Sequence, residues 1–191
     1  VGVRDMGVSP DEILTYQKAD QRGLLTVRTN LILGLPLRYL TTMDALDAIR
    51  AYFGPKQPFG NDWVRIGGLK IVVQNDGWWA LSPEKLNAIV AAANSAGWTL
   101  AFHIASGTAP DATEAVLCAL EAADEEMPIC GRRFSIEHGF GLTDSEQYLR
   151  AQKLGVVIAA NPLLAYYGAA RSMKMAEVLE TTRIAKVAVS G

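Results

Sequence analysis

The sequence has few of the features that indicate a secreted, membrane-bound or nucleic-acid-binding protein. Its two cysteines, Cys118 and Cys130, make no disulfide framework, so we expect a reducing, cytoplasmic compartment. No apolar run approaches the roughly 20 residues that span a bilayer, which argues against a membrane partner. The formal net charge of −2 supplies no attraction to nucleic acid. A chain that is 50% hydrophobic and 20% charged is typical of a globular protein, and we expect residues 1–191 to form one domain.

Short apolar runs alternate along the chain with longer segments of helical spacing. The runs predict seven strands, at residues 1–4, 24–29, 66–73, 98–103, 133–138, 155–160 and 186–190. Several are nearly continuous in apolar or β-branched residues, as is typical of parallel strands buried on both faces. Helix signals lie between them, such as the cap Ser82-Pro83-Glu84 and the capping box that begins at Thr143. Within the helix predicted over residues 111–123 we interpret Cys118 as a small core residue.

Strict alternation of strand and helix predicts an α/β fold with a parallel sheet and helices outside it. An open doubly wound sheet and a closed barrel both satisfy this pattern. The chain opens without an initiator methionine and stops within an apolar run, so we expect both ends to be cut. Seven strands with cut ends favour an eight-stranded barrel that lacks its first strand and the end of its last.

The only two histidines of the chain stand where this architecture builds its active sites. His103 closes the strand predicted at 98–103, and His138 closes the next one, at 133–138. Active sites of parallel α/β folds lie at the carboxyl ends of the strands. A single histidine there is more often a hydrogen-bonded structural residue than a ligand. Two on adjacent strands, about 4.8 Å apart, can converge on one metal ion, so we predict a site.

Lys70 is the third candidate, because it lies inside an otherwise apolar strand. A buried ammonium is costly unless it is paired or functional. Its side chain could extend past the strand edge, could be carbamylated and bridge metal ions, or could form a Schiff base. The neighbouring Gly67 and Gly68 indicate a bend or close packing at this point.

Three acidic residues near predicted strand ends are weaker candidates. Asp5 and Asp76 could contact substrate or ligands, but turn or cap roles are commoner for such positions. Glu137 directly precedes His138 and should therefore point to the opposite face of its strand. We interpret Glu137 as half of a structural ion pair.

Four motifs that include these residues occur along the chain in a specific order. They are Gly2-Val3-Arg4-Asp5-Met6-Gly7, Gly67-Gly68-Leu69-Lys70-Ile71, Ala96-Gly97-Trp98-Thr99-Leu100-Ala101-Phe102-His103 and Ile136-Glu137-His138. Their order and spacing resemble the amidohydrolase superfamily, and within it amidohydrolase family 3, which includes the N-substituted formamide deformylases. Ser190-Gly191 resembles the start of that family's last barrel strand, so the likeness covers nearly the whole chain.

The resemblance implies a TIM-like (β/α)8 barrel, here incomplete, that holds one or two divalent metal ions, usually zinc. It implies that His103 and His138 are metal ligands from the fifth and sixth strands and that Lys70 is the fourth-strand group. A His-x-His pair would lie before Val1, and the catalytic aspartate would lie after Gly191. The activity implied is hydrolysis of a C–N bond in a small amide or cyclic amide by metal-activated water.

The chain departs from the family pattern in ways that leave alternatives open. The loop that follows His103 lacks the family's aspartate, and the segment around Gly77 and Trp78 is shorter than in relatives, by a shortened lid or a missing segment. A metal-free barrel in which Lys70 forms a Schiff base is one rival. A non-catalytic or degenerate barrel fragment is another, and self-association into a homo-oligomer is also left open.

Overall fold

The computed structural model describes residues 2–51, 59–75, 78–104, 110–138 and 145–161, and within them a sheet is flanked by helices. The strands are β1 (Gly2–Val8), β2 (Arg28–Gly34), β3 (Phe59–Gly60), β4 (Val64–Asn75), β5 (Trp78–Trp79), β6 (Leu100–Ile104), β7 (Ser135–His138) and β8 (Val157–Ala160). The helices are α1 (Pro10–Gln21), α2 (Thr42–Ala51), α3 (Pro83–Ser95), α4 (Pro110–Glu126) and α5 (Ser145–Lys153), with a 3-10 turn at Leu37–Tyr39. The last predicted strand, at 186–190, lies outside the described residues, as do Asp76, Gly77 and Thr143.

The six long strands run parallel in the order β1-β2-β4-β6-β7-β8, while β3 and β5 each pair antiparallel with β4. Each parallel strand is added beside the one before it, without the reversal of order that defines a doubly wound sheet. The sheet is also curled, because Arg4 on β1 reaches Ser135 on β7 at 3.0 Å although these strands are four places apart. In a flat sheet four places would separate them by about 19 Å. The described residues therefore form a six-stranded half-barrel, consistent with part of a TIM-like barrel.

Local signals explain where the helices begin and end. Ser9 and Glu12 form a reciprocal capping box at the start of α1, and the Ser82 hydroxyl accepts a hydrogen bond from the Lys85 amide at the start of α3. Gly97 follows α3 in a left-handed conformation with φ of 87°, which glycine adopts without steric cost. The helix predicted to begin at the cap Ser82-Pro83-Glu84 is thus confirmed.

The outer face of the sheet carries the hydrophobic core. Alternate side chains of β4, β6 and β7 pack there against buried faces of α3 and α4; the most enclosed are Leu69, Ile71, Leu86, Ile89, Leu100, Phe102, Leu117, Leu120 and Ile136. The other side chains of the same strands point to the inner face, which is polar at Lys70, His103, Ser135 and Glu137. This division of faces brings the candidate site residues to the concave side of the half-barrel.

Two expectations about local structure are wrong. The strand predicted at 24–29 is displaced, because β2 is Arg28–Gly34 and Leu24 lies in the turn after α1, with 65% of its surface exposed. Cys118 is exposed and not in the core, since it lies one turn after Glu114 on the solvent face of α4. Of the helices in the described ranges, none is long and apolar enough to cross a bilayer.

Candidate active site at the carboxyl ends of the strands

Three neighbouring strands bring the predicted site residues together. His103 stands near the end of β6, His138 ends β7, and Lys70 lies on β4, on the other side of β6. Val72 pairs with His103, so Lys70 lies two residues, or about 6.6 Å, deeper in the barrel. All three border a cavity of about 440 Å³, whose other lining residues are Met6, Glu137, Ala159 and Asn161. The predicted convergence of His103, His138 and Lys70 is what the structure shows.

The two imidazoles are in direct contact. His138 Nε2 lies 2.9 Å from His103 Nδ1, and the rings meet edge to face with centroids 4.7 Å apart and planes at 89°. One nitrogen of the pair donates and the other accepts, according to which tautomers are present. Because of this contact, one ring nitrogen from β6 and one from β7 lie close together in the cavity.

An unusual backbone conformation at His138 makes this contact reachable. Its φ is +75°, in the left-handed region that few non-glycine residues adopt, although histidine does so more often than most. Strict alternation would place His138 and Glu137 on opposite faces, but this turn brings both side chains to the same cavity. The expectation that Glu137 points away from the site is therefore wrong. Its ion pair is confirmed, because Glu137 Oε1 lies 3.2 Å from Arg4 Nη2.

Burial keeps both imidazoles uncharged at neutral pH. Burial, followed by the charge of Lys70 and the neighbouring His138, lowers the pKa of His103 from 6.5 to about 4. Burial and Lys70 also lower the pKa of His138, while Glu137 opposes the shift. A neutral imidazole offers the lone pair that a metal ion requires, so little proton release is needed for binding.

Lys70 is held inside the barrel and does not extend past a strand edge, because β4 is paired on both sides. Burial lowers the pKa of its ammonium from 10.5 to about 8, Glu137 opposes that shift, and Arg4 adds to it. The neutral amine, which is the reactive form, is therefore far more abundant at pH 8 than in an exposed lysine.

The donors fit a divalent metal ion in chemistry and in spacing. Imidazole nitrogens bound to one tetrahedral ion at 2.0–2.1 Å lie about 3.4 Å apart, so the observed 2.9 Å between His103 and His138 must widen by only about 0.5 Å. No group of three His, Cys, Asp or Glu side chains suited to a metal occurs in the described part of the chain. Asp5 is elsewhere, accepting a hydrogen bond of 2.7 Å from the Tyr16 hydroxyl of α1.

A parallel half-barrel with two imidazoles at the carboxyl ends of adjacent strands, and an amine two residues deeper, has the arrangement of barrel proteins whose active sites lie at this edge. The model of the amidohydrolase family matches residues 2–191, and the chain belongs to that family. This match confirms the superfamily resemblance, while the formamide-deformylase branch stays a prediction. A comparison with curated proteins finds no match.

Several solved structures share the fold. An uncharacterized metal-dependent hydrolase from Pyrococcus furiosus is 18% identical with a TM-score of 0.65, over 94% of this chain and 38% of that one. A Xaa-Pro dipeptidase with bound methionine in its active site is 16% identical with a TM-score of 0.58, over 95% of this chain and 49% of that one. An amidohydrolase is 18% identical with a TM-score of 0.54, over 95% of this chain and 49% of that one. The chain thus spans less than half of the length of each of these proteins.

Proposed function

We propose that the protein is a metal-dependent hydrolase in which His103 and His138 bind a divalent ion, with zinc as the first choice, and Lys70 supplies a third group. The reaction is hydrolysis of a C–N bond in a small amide or cyclic amide, in the cytoplasm. The observation that carries this proposal is the contact of two imidazoles, 2.9 Å apart, beside a cavity at the carboxyl edge of the barrel. Family membership supports the same reaction class.

A divalent ion held by His103 and His138 would lower the pKa of a bound water toward about 7 and would polarise the scissile carbonyl. The residues of the chain supply the frame for that chemistry. Two strand ends fix the imidazoles, and burial keeps His103 neutral. Lys70, with its pKa near 8, can react as a free amine with carbon dioxide, forming an N–C bond and releasing a proton, and so become an anionic ligand.

The substrate is a small molecule, because the cavity of about 440 Å³ has the size of a ligand pocket. Within the family resemblance an N-substituted formamide is the first substrate to test. A dipeptide belongs in the same panel, since one of the similar structures is a Xaa-Pro dipeptidase. Preferential turnover of the dipeptide would replace the amide assignment without changing the metal site.

One observation favours a second candidate function, a Schiff-base enzyme. A buried lysine with its pKa lowered to about 8 is suited to attack a carbonyl carbon. The two candidates differ in their need for metal, so one experiment separates them.

The experiment measures turnover of a formamide, a cyclic amide and a dipeptide before and after dialysis against a chelator. We expect activity to disappear on metal removal and to return with zinc, cobalt or manganese. Full turnover by the metal-free protein would contradict the proposal. Trapping of a carbonyl substrate on Lys70 by borohydride, absent in Lys70→Met, would favour the Schiff-base enzyme instead.

A further inference from the structure

The inner face of the half-barrel holds a polar cluster that the proposed chemistry does not use. It consists of Arg4 on β1 with Ser135 and Glu137 on β7. Arg4 Nη2 donates to Ser135 Oγ at 3.0 Å and lies 3.2 Å from Glu137 Oε1. Ser135 Oγ in turn donates to Glu137 Oε1 at 2.5 Å. The three side chains therefore form a closed triangle.

The triangle connects strands that are not neighbours in the sheet. β1 and β7 are separated by β2, β4 and β6, so no backbone hydrogen bond joins them. Arg4 crosses the concave side of the barrel to reach β7. Because Glu137 is only 8% exposed, its carboxylate needs compensating positive charge, which the Arg4 guanidinium supplies at 3.2 Å and the Lys70 ammonium also supplies.

Glu137 also stands at the point where the backbone of β7 leaves the sheet. It pairs with His103 on β6 and with Ala159 on β8, so it is the last β7 residue with a neighbour on both sides. The next residue, His138, adopts the left-handed φ of +75° that turns its ring to His103. Such a conformation is costly and persists where surrounding contacts hold it.

We propose that Arg4 is a positioning residue of the candidate site. By holding Ser135 and Glu137 from across the barrel, it fixes the end of β7 and sets the direction in which His138 presents Nε2 to His103. Arginine suits this role because its long side chain carries a permanently charged group, and its Nη2 contacts both Ser135 Oγ and Glu137 Oε1. The role in metal binding rests on the proposed function, but the orientation of the imidazole pair does not.

The test compares Arg4→Met and Arg4→Lys with the unaltered protein. Cobalt affinity and the cobalt absorption spectrum report the geometry of the loaded site, and imidazole ¹⁵N chemical shifts report the metal-free pair. We expect Arg4→Met to weaken cobalt binding about 10- to 100-fold and to shift the resonances of His103 and His138. Arg4→Lys should recover part of both effects, because a lysine can still pair with Glu137.

The matched control is Arg150→Met, which also removes an arginine that bridges two side chains, Glu114 and Glu121, but on the outer helices. It should leave the cobalt spectrum unchanged. A loss of cobalt affinity as large in Arg150→Met as in Arg4→Met would overturn the positioning role, as would unaltered affinity and imidazole shifts in Arg4→Met. If Arg4→Met does not fold, Arg4→Lys and Ser135→Ala decide by the same two readouts.

Failure of the proposed function has a different signature. If the unaltered protein binds no cobalt, the metal assignment is wrong, and the imidazole shifts alone then decide the role of Arg4. Shifted resonances in Arg4→Met would support it, and unshifted resonances would refute it.

Discussion

The close packing of β4 on the loop before β6 can be tested by the substitution Gly68→Ala. The Leu69 amide donates to Thr99 O at 2.8 Å, which brings the Thr99 backbone against Gly68. A Cβ added at Gly68 would collide with Thr99 O and would lie 3.1 Å from its carbonyl carbon and 3.3 Å from its Cβ. Backbone atoms cannot rotate away as a side chain can, so the two segments would have to separate.

The cost follows from steric overlap alone, because Gly68 does not have a positive φ. Overpacking of this kind destabilises proteins by about 1–3 kcal/mol. For a domain of 150–250 residues each kcal/mol lowers Tm by about 2–4 °C, which predicts a fall of roughly 2–12 °C. Lys70 lies two residues further along the same strand, so the separation should also move its amine relative to His103.

Two other glycines provide graded controls. At Gly67 the three atoms nearest an added Cβ all belong to the side chain of Asn30, with its Cγ at 2.6 Å, and that side chain can change rotamer. At Gly2 the nearest atom is Arg28 O at 3.4 Å, an ordinary contact, so Gly2→Ala should be neutral or stabilising by up to about 1 kcal/mol.

Urea denaturation measures the free energy of unfolding of the three variants. We expect the largest loss of unfolding free energy for Gly68→Ala, a smaller loss for Gly67→Ala, and none for Gly2→Ala. Equal stability of Gly68→Ala and Gly2→Ala would refute the packing described for β4.

Two further predictions concern polar contacts outside the site. Arg150→Met should cost about 1 kcal/mol, since the guanidinium lies 2.6 Å from Glu114 and 2.8 Å from Glu121 on a partly exposed surface. Arg150 lowers the pKa of both carboxyls, so its contribution is present above their ordinary pKa and is lost as pH falls through the lowered values. The free energies of unfolding of wild type and Arg150→Met should therefore converge as the pH falls through the lowered pKa values of the two carboxyls; a constant difference down to strongly acidic pH would contradict this cause. Asn94→Ala should cost about 2–4 kcal/mol in urea, because the buried Asn94 amide donates to two backbone carbonyls at the end of α4 and accepts from Arg132; a loss under 1 kcal/mol would show that water replaces these bonds.

The helices and the histidine positions could be predicted because their signals are local. A helix cap such as Ser82-Pro83-Glu84, or a histidine that closes an apolar run, depends on residues within a few positions of each other. The parallel order of strands followed from their alternation with helices. The loop-and-strand packing at Gly67 and Gly68 was also visible as two glycines within a strand.

Features that depend on distant partners could not be predicted in the same way. Two apolar runs, at 24–27 and 31–35, compete for β2, and the pairing of Leu31 with Ile66 on β4 selects the second. Glu137 and His138 share one cavity because of the left-handed backbone at His138, and the alternation of side chains along a strand does not predict that conformation.

The exposure of Cys118 and the contact of Arg4 are indicated in the sequence by neighbouring charges, which a hydrophobicity pattern does not include. Cys118 lies four residues after Glu114 and three before Glu121, which places it on a charged helix face. Arg4, like Lys70, is a charged residue within a predicted buried strand, and such a residue needs a partner. The partner of Arg4 lies more than 130 residues away along the chain, and the two come into contact only in the folded barrel.

The central claim, that His103 and His138 are metal ligands, is tested most directly by elemental analysis. The unaltered protein, His103→Ala, His138→Ala and the remote control Arg150→Met are purified in parallel and their metal content is measured per chain. We predict bound divalent metal in the unaltered protein and in Arg150→Met, and loss of metal and of nearly all hydrolase activity in both histidine variants. Unchanged metal content in both histidine variants would contradict the assignment.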